Sequence, residues 1–396
     1  MGRSIALIAL IALVVCMTFP GSAFSTDWPK GEGIRLSDNT RAVIHPIGGV
    51  QEQFDSNVFL DAVGERKDWI TTLTGGFSLE APLGDNTFTA AYILDYRVFA
   101  NYYKQTSLNH LATAQFEVPW RDMKWTVGDT WRRVYDRPDT ETTQRLLRHL
   151  NNFDVKVEAE YNRLGYEIYY HNALIDYLTE GYQDESRWDN TVNVIGKYRI
   201  ATKTYFLAEF DYGNVNYVKK FNSEANWYQG LVGVRGKLTQ KLTGEVKAGW
   251  QYRDYLRPSE NDYDSLITMA GLLEEFTDRD TLKIDWIRTP YESLYTGTNY
   301  YVDNSINALY RHQFNNKIAG FGGALYRLSQ YPAETAEGGT WKKRLDNAWS
   351  VGAGVEYVMQ KWLTWTADYK FIQRKSNFGN YDYNDNLVTV SGKATF

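Results

Sequence analysis

The sequence predicts an all-β chain: a closed antiparallel transmembrane β-barrel of about eighteen strands, with sixteen also compatible. Three observations predict it. Apolar and polar residues alternate with period two in segment after segment, the pattern of strands whose two faces meet different surroundings. The links between segments alternate strictly between short turns and long polar loops. After the N-terminus no apolar run is long enough for a membrane helix, so a spanning structure must be built from strands. The composition agrees. The 396 residues include 30 Tyr and 13 Trp, an aromatic share of 15%, in a chain of mean hydropathy −0.48.

Residues 1–23 read as a secretory signal, with Arg3, an apolar run from Ile5 to Val15 and the small residues Gly21, Ser22 and Ala23 at the cleavage site. Cys16 also allows a lipid-attachment reading, but the bulky Val15 before it favours plain signal sequence. It is the only cysteine, so the mature chain is expected to have no disulfide or thiol chemistry. The formal net charge of −5 offers no footprint for nucleic acid. Residues 24–41 lack periodicity and read as a periplasmic lead, too short for a plug domain. The barrel is assigned to 42–396.

Within it, Trp69, Leu73, Phe77, Leu79 and Ala81 oppose Thr72, Thr74, Ser78 and Glu80. Phe88 to Val98 alternate with Thr87, Thr89, Asp95 and Arg97. Phe153, Val155, Val157 and Ala159 oppose Asp154, Lys156, Glu158 and Glu160. Similar sets recur at 242–253 and 363–371. A soluble sandwich would show the same alternation; the connections separate the two. Short turns are expected near 82–86, 119–122, 162–164, 201–203, 239–241, 277–280, 315–317 and 360–361. Long links are expected at 55–67, 103–107, 136–148, 176–188, 215–226, 255–262, 289–301, 331–346 and 373–384. Short periplasmic turns and long extracellular loops are the asymmetry of outer-membrane barrels. The strand count is softest at 42–54, 262–276 and 317–331. Trp120, Trp125, Trp362 and Trp365 near short turns, and Trp188, Trp227, Trp341 and Trp349 near long links, suit two interfacial girdles.

The polar face supplies the candidate pore lining: Asp95, Arg97, Arg132, Asp154, Lys156, Glu158, Glu160, Lys197, Arg199, Glu209, Asp211, Arg235, Glu245, Lys247, Arg253, Arg311, Asp368 and Lys370. Opposed charges in such a lining can filter solutes, or simply pair to keep the wall hydrated. The link 136–148, with Arg137, Arg145 and Arg148, could fold inward as a constriction. Phe99, Tyr169 and Tyr205 could form a sugar-stacking track. No catalytic or metal-binding pattern emerges. The five histidines lack zinc spacing, and a rim enzyme would need His110 or His171 to meet a serine. The Asp/Asn-rich runs 260–262 and 380–385 match no calcium loop and read as solvated. No cofactor is expected.

The stretch Asp55-Ser-Asn-Val-Phe59, followed by Lys67-Asp-Trp-Ile-Thr-Thr-Leu-Thr74 and Gly76-Phe-Ser-Leu79, resembles the opening of the outer-membrane barrels called putative β-barrel porin 2. The resemblance is strongest over 47–80. Ser56 stands where Asp is common, and Gly75 where Pro is expected. It implies an outer-membrane barrel, often linked to exopolysaccharide production or export, and supplies no functional residues. The expectation is therefore a porin in the outer membrane of a Gram-negative bacterium, passing polar solutes or serving polysaccharide export. The alternatives are a lipid-acting barrel enzyme and a non-conducting scaffold. Expected partners are outer-membrane lipids and lipopolysaccharide, the barrel-assembly machinery and polysaccharide export components. The last strand, 385–396, should close on 42–54, with Val388, Val390 and Ala394 toward lipid. Phe396 should be the assembly signal.

Overall fold

The computed structural model describes residues 28–29, 31–37, 40–137, 141–219, 223–257, 262–295, 298–337 and 340–396. The expected signal peptide, with Cys16, lies outside them. Nineteen strands are present among the described residues. They begin with β1 (Ile34–Arg35), β2 (Val43–Asp55), β3 (Asp68–Leu83), β4 (Asn86–Phe99), β5 (Ser107–Trp120) and β6 (Met123–Asp136). Next come β7 (Leu146–Tyr161), β8 (Leu164–Tyr177), β9 (Arg187–Ala201), β10 (Thr204–Tyr217), β11 (Ala225–Lys237) and β12 (Leu242–Tyr255). The last are β13 (Tyr263–Glu275), β14 (Asp280–Glu292), β15 (Tyr300–Gln313), β16 (Ile318–Glu337), β17 (Thr340–Gln360), β18 (Leu363–Ser376) and β19 (Tyr383–Thr395).

β2 to β19 pair antiparallel in chain order, and β19 returns to β2 over Leu387↔Asp55 to Thr395↔Ile47. This is a closed barrel of eighteen strands, with no free edge. All three soft regions of the sequence reading, 42–54, 262–276 and 317–331, are strands. The face assignments hold in the last strand: Val388 and Val390 are exposed while Thr389 and Ser391 are buried. A strand of fourteen residues, tilted about 40°, spans roughly 35 Å, ample for an apolar band about 25 Å tall.

The short turns fall where expected, and two show why they are tight. Gly84 has φ +67° between β3 and β4, and Asn162 has φ +54° between β7 and β8. Both residue types tolerate the left-handed region. Three features depart from the reading. The link expected at 331–346 is instead a hairpin that extends the wall: β16 and β17 stay paired out to Glu337↔Thr340, with an irregularity between Gln330 and Glu334. The lead contains β1, which pairs with β2 through Ile34↔Ile44 and Arg35↔Val43. Near it, Lys393 Nζ lies 5.4 Å from the Trp28 ring. Finally, 380–385 is not a solvated run. Gly379–Tyr381 is a 3-10 turn, and Asp385 is buried at the top of β19.

The seam between β13 and β14 is the shortest among consecutive barrel strands and ends at Thr268↔Arg288. Pro290, two residues further up β14, has no N–H to offer a neighbour. Arg288 bridges the parting strands, its Nε donating to the Leu266 carbonyl at 3.1 Å and its Nη1 to Asn304 Oδ1 at 2.5 Å.

Candidate channel interior and constriction

The register places the expected lining residues on one face, opposite the exposed apolar residues. Contacts that skip strands identify it as the concave, inner face, because only there do side chains converge. Glu167 of β8, fully buried, accepts from Lys197 of β9 at 2.8 Å and from Arg235 of β11 at 2.7 Å. Arg235 also binds Glu245. Lys247 joins Glu245 at 3.0 Å to Glu209 at 2.7 Å. Five expected residues (Lys197, Arg235, Glu245, Lys247 and Glu209) thus form one chain of ion pairs through Glu167. One layer above this network, toward the long loops, Asp211 accepts from Asn193 at 2.7 Å and from Gln229 at 2.6 Å, and Gln251 donates to Gln229 at 3.1 Å. Buried charges persist only when paired or hydrogen-bonded in this way.

Most of the remaining expected residues act in single pairs, two of which skip a strand. Lys156 binds Glu158 at 2.6 Å, Asp154 binds His171 at 2.6 Å, Arg311 binds Glu356 at 2.5 Å, and Arg199 binds Glu160. Arg253 binds Glu292. Asp95 accepts from Thr74 Oγ1 at 2.5 Å. Arg132 lies in register with Leu111 and Leu150. Asp368 and Lys370 sit two apart on the inner face of β18, both buried. The aromatic residues expected to form a track stay apart. Arg145 covers Phe99, with its guanidinium carbon 5.2 Å from the ring centre. Tyr169 donates to Glu167 and Tyr205 to Glu160. Trp227, expected in a girdle, faces inward instead: its indole fills the space over Gly213, where any Cβ would overlap it. His171 pairs with Asp154 and His110 with Tyr92 Oη at 2.9 Å. Among the described residues, neither histidine shares a hydrogen bond with a serine.

Between β6 and β7, residues 141–145 fold inward, as the length and arginines of the link suggested. Around the ring of eighteen strands, β6 and β7 lie opposite β14 to β16. Yet Glu141 reaches the far side: its carboxylate accepts from Ser293 Oγ at 2.5 Å and from the Leu294 amide at 2.7 Å, both in the link that follows β14. Its carbonyl accepts from Arg344 of β17 at 3.4 Å. At the root of the segment, Arg137 donates to the carbonyls of Thr143 and Val58. Through residues 141–145 the strap therefore reaches, from the root of β7, the link on the opposite side of the bore. Burial, then repulsion from Arg137 and Arg97, pushes the Arg145 guanidinium down to about 9. It remains a cation at neutral pH, held among like charges. Burial likewise lowers Arg137, partly countered by Asp55.

Two buried points near the mouth, Arg344 beneath the strap and Asn57 within the motif quoted above, have partners that the sequence did not show. Arg344 is fully buried, with its guanidinium carbon 3.6 Å from the Tyr381 ring centre, 4.6 Å from Tyr331 and 4.8 Å from Tyr295. Asp346 accepts from it at 2.5 Å. Stacking of a guanidinium on aromatic faces stabilises the charge where water is excluded. The other point is Asn57, fully buried. Its side chain donates to the carbonyls of Asp61 at 2.9 Å and Asn384 at 3.0 Å and accepts from the Asp61 amide at 2.8 Å. Its own amide donates to Asp55 at 2.9 Å and Asp385 at 3.1 Å. The Asp55-Ser-Asn57 stretch is thus a clasp between the first barrel strand and the last. That geometry gives the quoted motif a physical reason.

A closed barrel of eighteen strands, with charged residues lining its inner face and a strap across its bore, defines a porin-type architecture. The chain belongs to the family described as putative β-barrel porin 2, whose profile matches residues 133–396. The match lies downstream of 47–80, the stretch that carried the resemblance. A comparison with curated proteins finds no match. Among solved structures, the chain is similar to OccK2 (OpdF) of Pseudomonas aeruginosa, with TM-score 0.52 and 10% identity over 90% of this chain and 98% of that one. The same protein in complex with glucuronate gives TM-score 0.50 and 10% identity over 90% and 98%. The outer membrane protein OpdK from Pseudomonas aeruginosa gives TM-score 0.49 and 11% identity over 89% and 99%. At such identities the OccK2 likeness is one of fold.

Proposed function

We propose that the chain is a passive channel of the Gram-negative outer membrane, exported by its N-terminal signal, that passes small polar solutes and favours anions at its narrowest point. The observation that carries this reading is the strap between β6 and β7, docked through Glu141 on the opposite side. A segment held across the bore makes the gap beside it, and not the barrel diameter, set the limiting size. The preference for anions rests on Arg97, Arg137 and Arg145, which crowd there closely enough that repulsion outweighs the nearby Asp55 and Asp136. The ion-paired wall residues would line the path without strong net sign. An acidic sugar such as the glucuronate bound by OccK2 has the right charge and size class for such a filter. On this reading the chain is not an enzyme. It is inserted by the barrel-assembly machinery, which reads Phe396, and is surrounded by lipopolysaccharide.

The test is the reversal potential of purified, refolded protein in a planar bilayer under a salt gradient. Anion preference is expected, and Arg97→Glu with Arg145→Glu should reverse it. Cation preference in the unmodified protein contradicts the proposed filter.

A second reading, a conduit for an exported polysaccharide working with other export components, is favoured by one further observation. Trp227, Tyr255 and Tyr263 share the inner face near the extracellular ends of β11 to β13. Tyr300 closes on them, 4.2 Å from Tyr263 between ring centres. Sugar rings stack on such surfaces. Block of the current by an acidic polysaccharide, but not by glucuronate, would select this reading.

A further inference from the structure

At mid-height the outer wall is apolar around most of its circumference, with Leu73, Val194, Phe210, Val232, Val246 and Val355 exposed. On β5 to β7 that band is interrupted. Asp129 is the seventh of fourteen residues in β6 and points outward, exposed. Its register neighbours are Ala114 on β5 and Phe153 on β7. One carboxylate oxygen accepts from Asn151 Nδ2 at 2.9 Å, and among the described residues Asp129 has no ion-pair partner. Six residues above the turn, in a strand tilted about 40°, it stands about 15 Å up an apolar band about 25 Å tall. Nearer the mouth, His110, Arg133, His149 and Asp176 follow one another in direct register across β5 to β8. His149 Nδ1 lies 3.8 Å from Asp176.

A carboxylate and an amide facing lipid chains have no water to bond, so in a membrane this strip is covered by something polar. Lipopolysaccharide phosphates lie higher, at the interface, and a carboxylate would repel them. A second copy fits better. Axes of membrane oligomers run along the bilayer normal, so equal heights meet. A two-fold axis between β6 and β7 reverses the lateral order of each row. It sets the β6–β7 strip of one copy, with the carboxylate of Asp129 and the amide of Asn151, against the same strip of the other. Ala112 and Ala114 beside them permit close approach, as small residues do at membrane interfaces. We propose that the outer face of β5 to β7 is the two-fold contact between copies of this chain. The proposal rests on the membrane-barrel reading above.

The experiment is cross-linking of introduced cysteines in outer-membrane vesicles, in a Cys16→Ser background so that each new thiol reports alone. Ala114→Cys should yield a dimer with a short bis-maleimide, whereas Ala308→Cys, on β15 across the barrel, should not. Adding Asp129→Leu and Asn151→Leu to Ala114→Cys should cut the dimer at least ten-fold. A heat-modifiable band confirms that each variant still forms a barrel. An inserted, heat-modifiable Ala114→Cys that stays monomeric, that is captured by a different protein, or that carries lipopolysaccharide instead overturns the contact alone. So does equal cross-linking at both positions. Absence of the protein from the outer membrane overturns the membrane reading, and the contact with it.

Discussion

The residues that decide most are those whose partners are fixed and buried. Glu167 has no exposed surface and serves two cations. Glu167→Ala leaves Lys197 and Arg235 without it in a dry part of the wall, a loss of about 3–5 kcal/mol by the rule for broken buried pairs. Asp154→Asn, in a half-exposed pair with His171, should cost less than about 1 kcal/mol. Urea unfolding midpoints of the two variants separate these expectations, and equal midpoints contradict the network's role. Gly213 is a packing prediction. Any side chain there meets the Trp227 indole, so Gly213→Leu should lower stability by about 1–3 kcal/mol, read as a lower temperature of the heat-modifiability shift. At this scale the sequence was half legible. Alternation assigned Glu245, Lys247 and Arg253 to a common face, because period two is imposed by the strand itself. It could not pair all of them: Glu245 meets Arg235 on the adjacent strand, but Lys247 reaches Glu209 and Arg253 reaches Glu292, each two strands away. Arg344 and Glu141 escaped notice because nothing local distinguishes a buried, cross-barrel charge from a solvated one.

The elements carry a second set of expectations. The short turns were legible to within a residue or two, since a tight reversal needs residues such as Gly84 and Asn162 and leaves them little freedom of position. The long side was not. The β16–β17 hairpin looked like a loop because the stretch around Pro332 breaks the alternation at an irregularity in the ladder. The early end of the β13–β14 seam has the same kind of cause, in Pro290. The closing strand was read well. Phe396 stacks on Trp362, with ring centres 4.8 Å apart, and its amide donates to the Pro46 carbonyl at 3.0 Å, so it belongs to both the girdle and the closure. Deleting Phe396 should reduce the amount of assembled barrel in the outer membrane several-fold, while molecules that do insert keep their conductance. Normal assembly would leave the terminal residue with only its packing role. At the other end of the same seam, Asn57→Ala removes three hydrogen bonds of the clasp. It should increase amide exchange in β2 and β19 near the extracellular mouth, with no change in β9 to β12.

For the whole molecule, the barrel and the strap have separate origins. Eighteen strands set a bore wide enough for water, a consequence of length and alternation that the sequence displays plainly. Whether that bore conducts depends on nine residues between β6 and β7 and on what they touch, Ser293, Leu294 and Arg344 on the far side. The sequence offered only a long, arginine-bearing link there; its destination is a property of the closed ring. The proposed role of the strap is to limit an otherwise open channel. Single-channel conductance tests it most directly, comparing the unmodified protein with Glu141→Ala and with residues 138–144 replaced by two glycines. A small, steady conductance is expected, with more frequent flickering for Glu141→Ala and about a two-fold rise when the strap is shortened. No current from any of the three, in barrels shown to be folded and inserted, would contradict it.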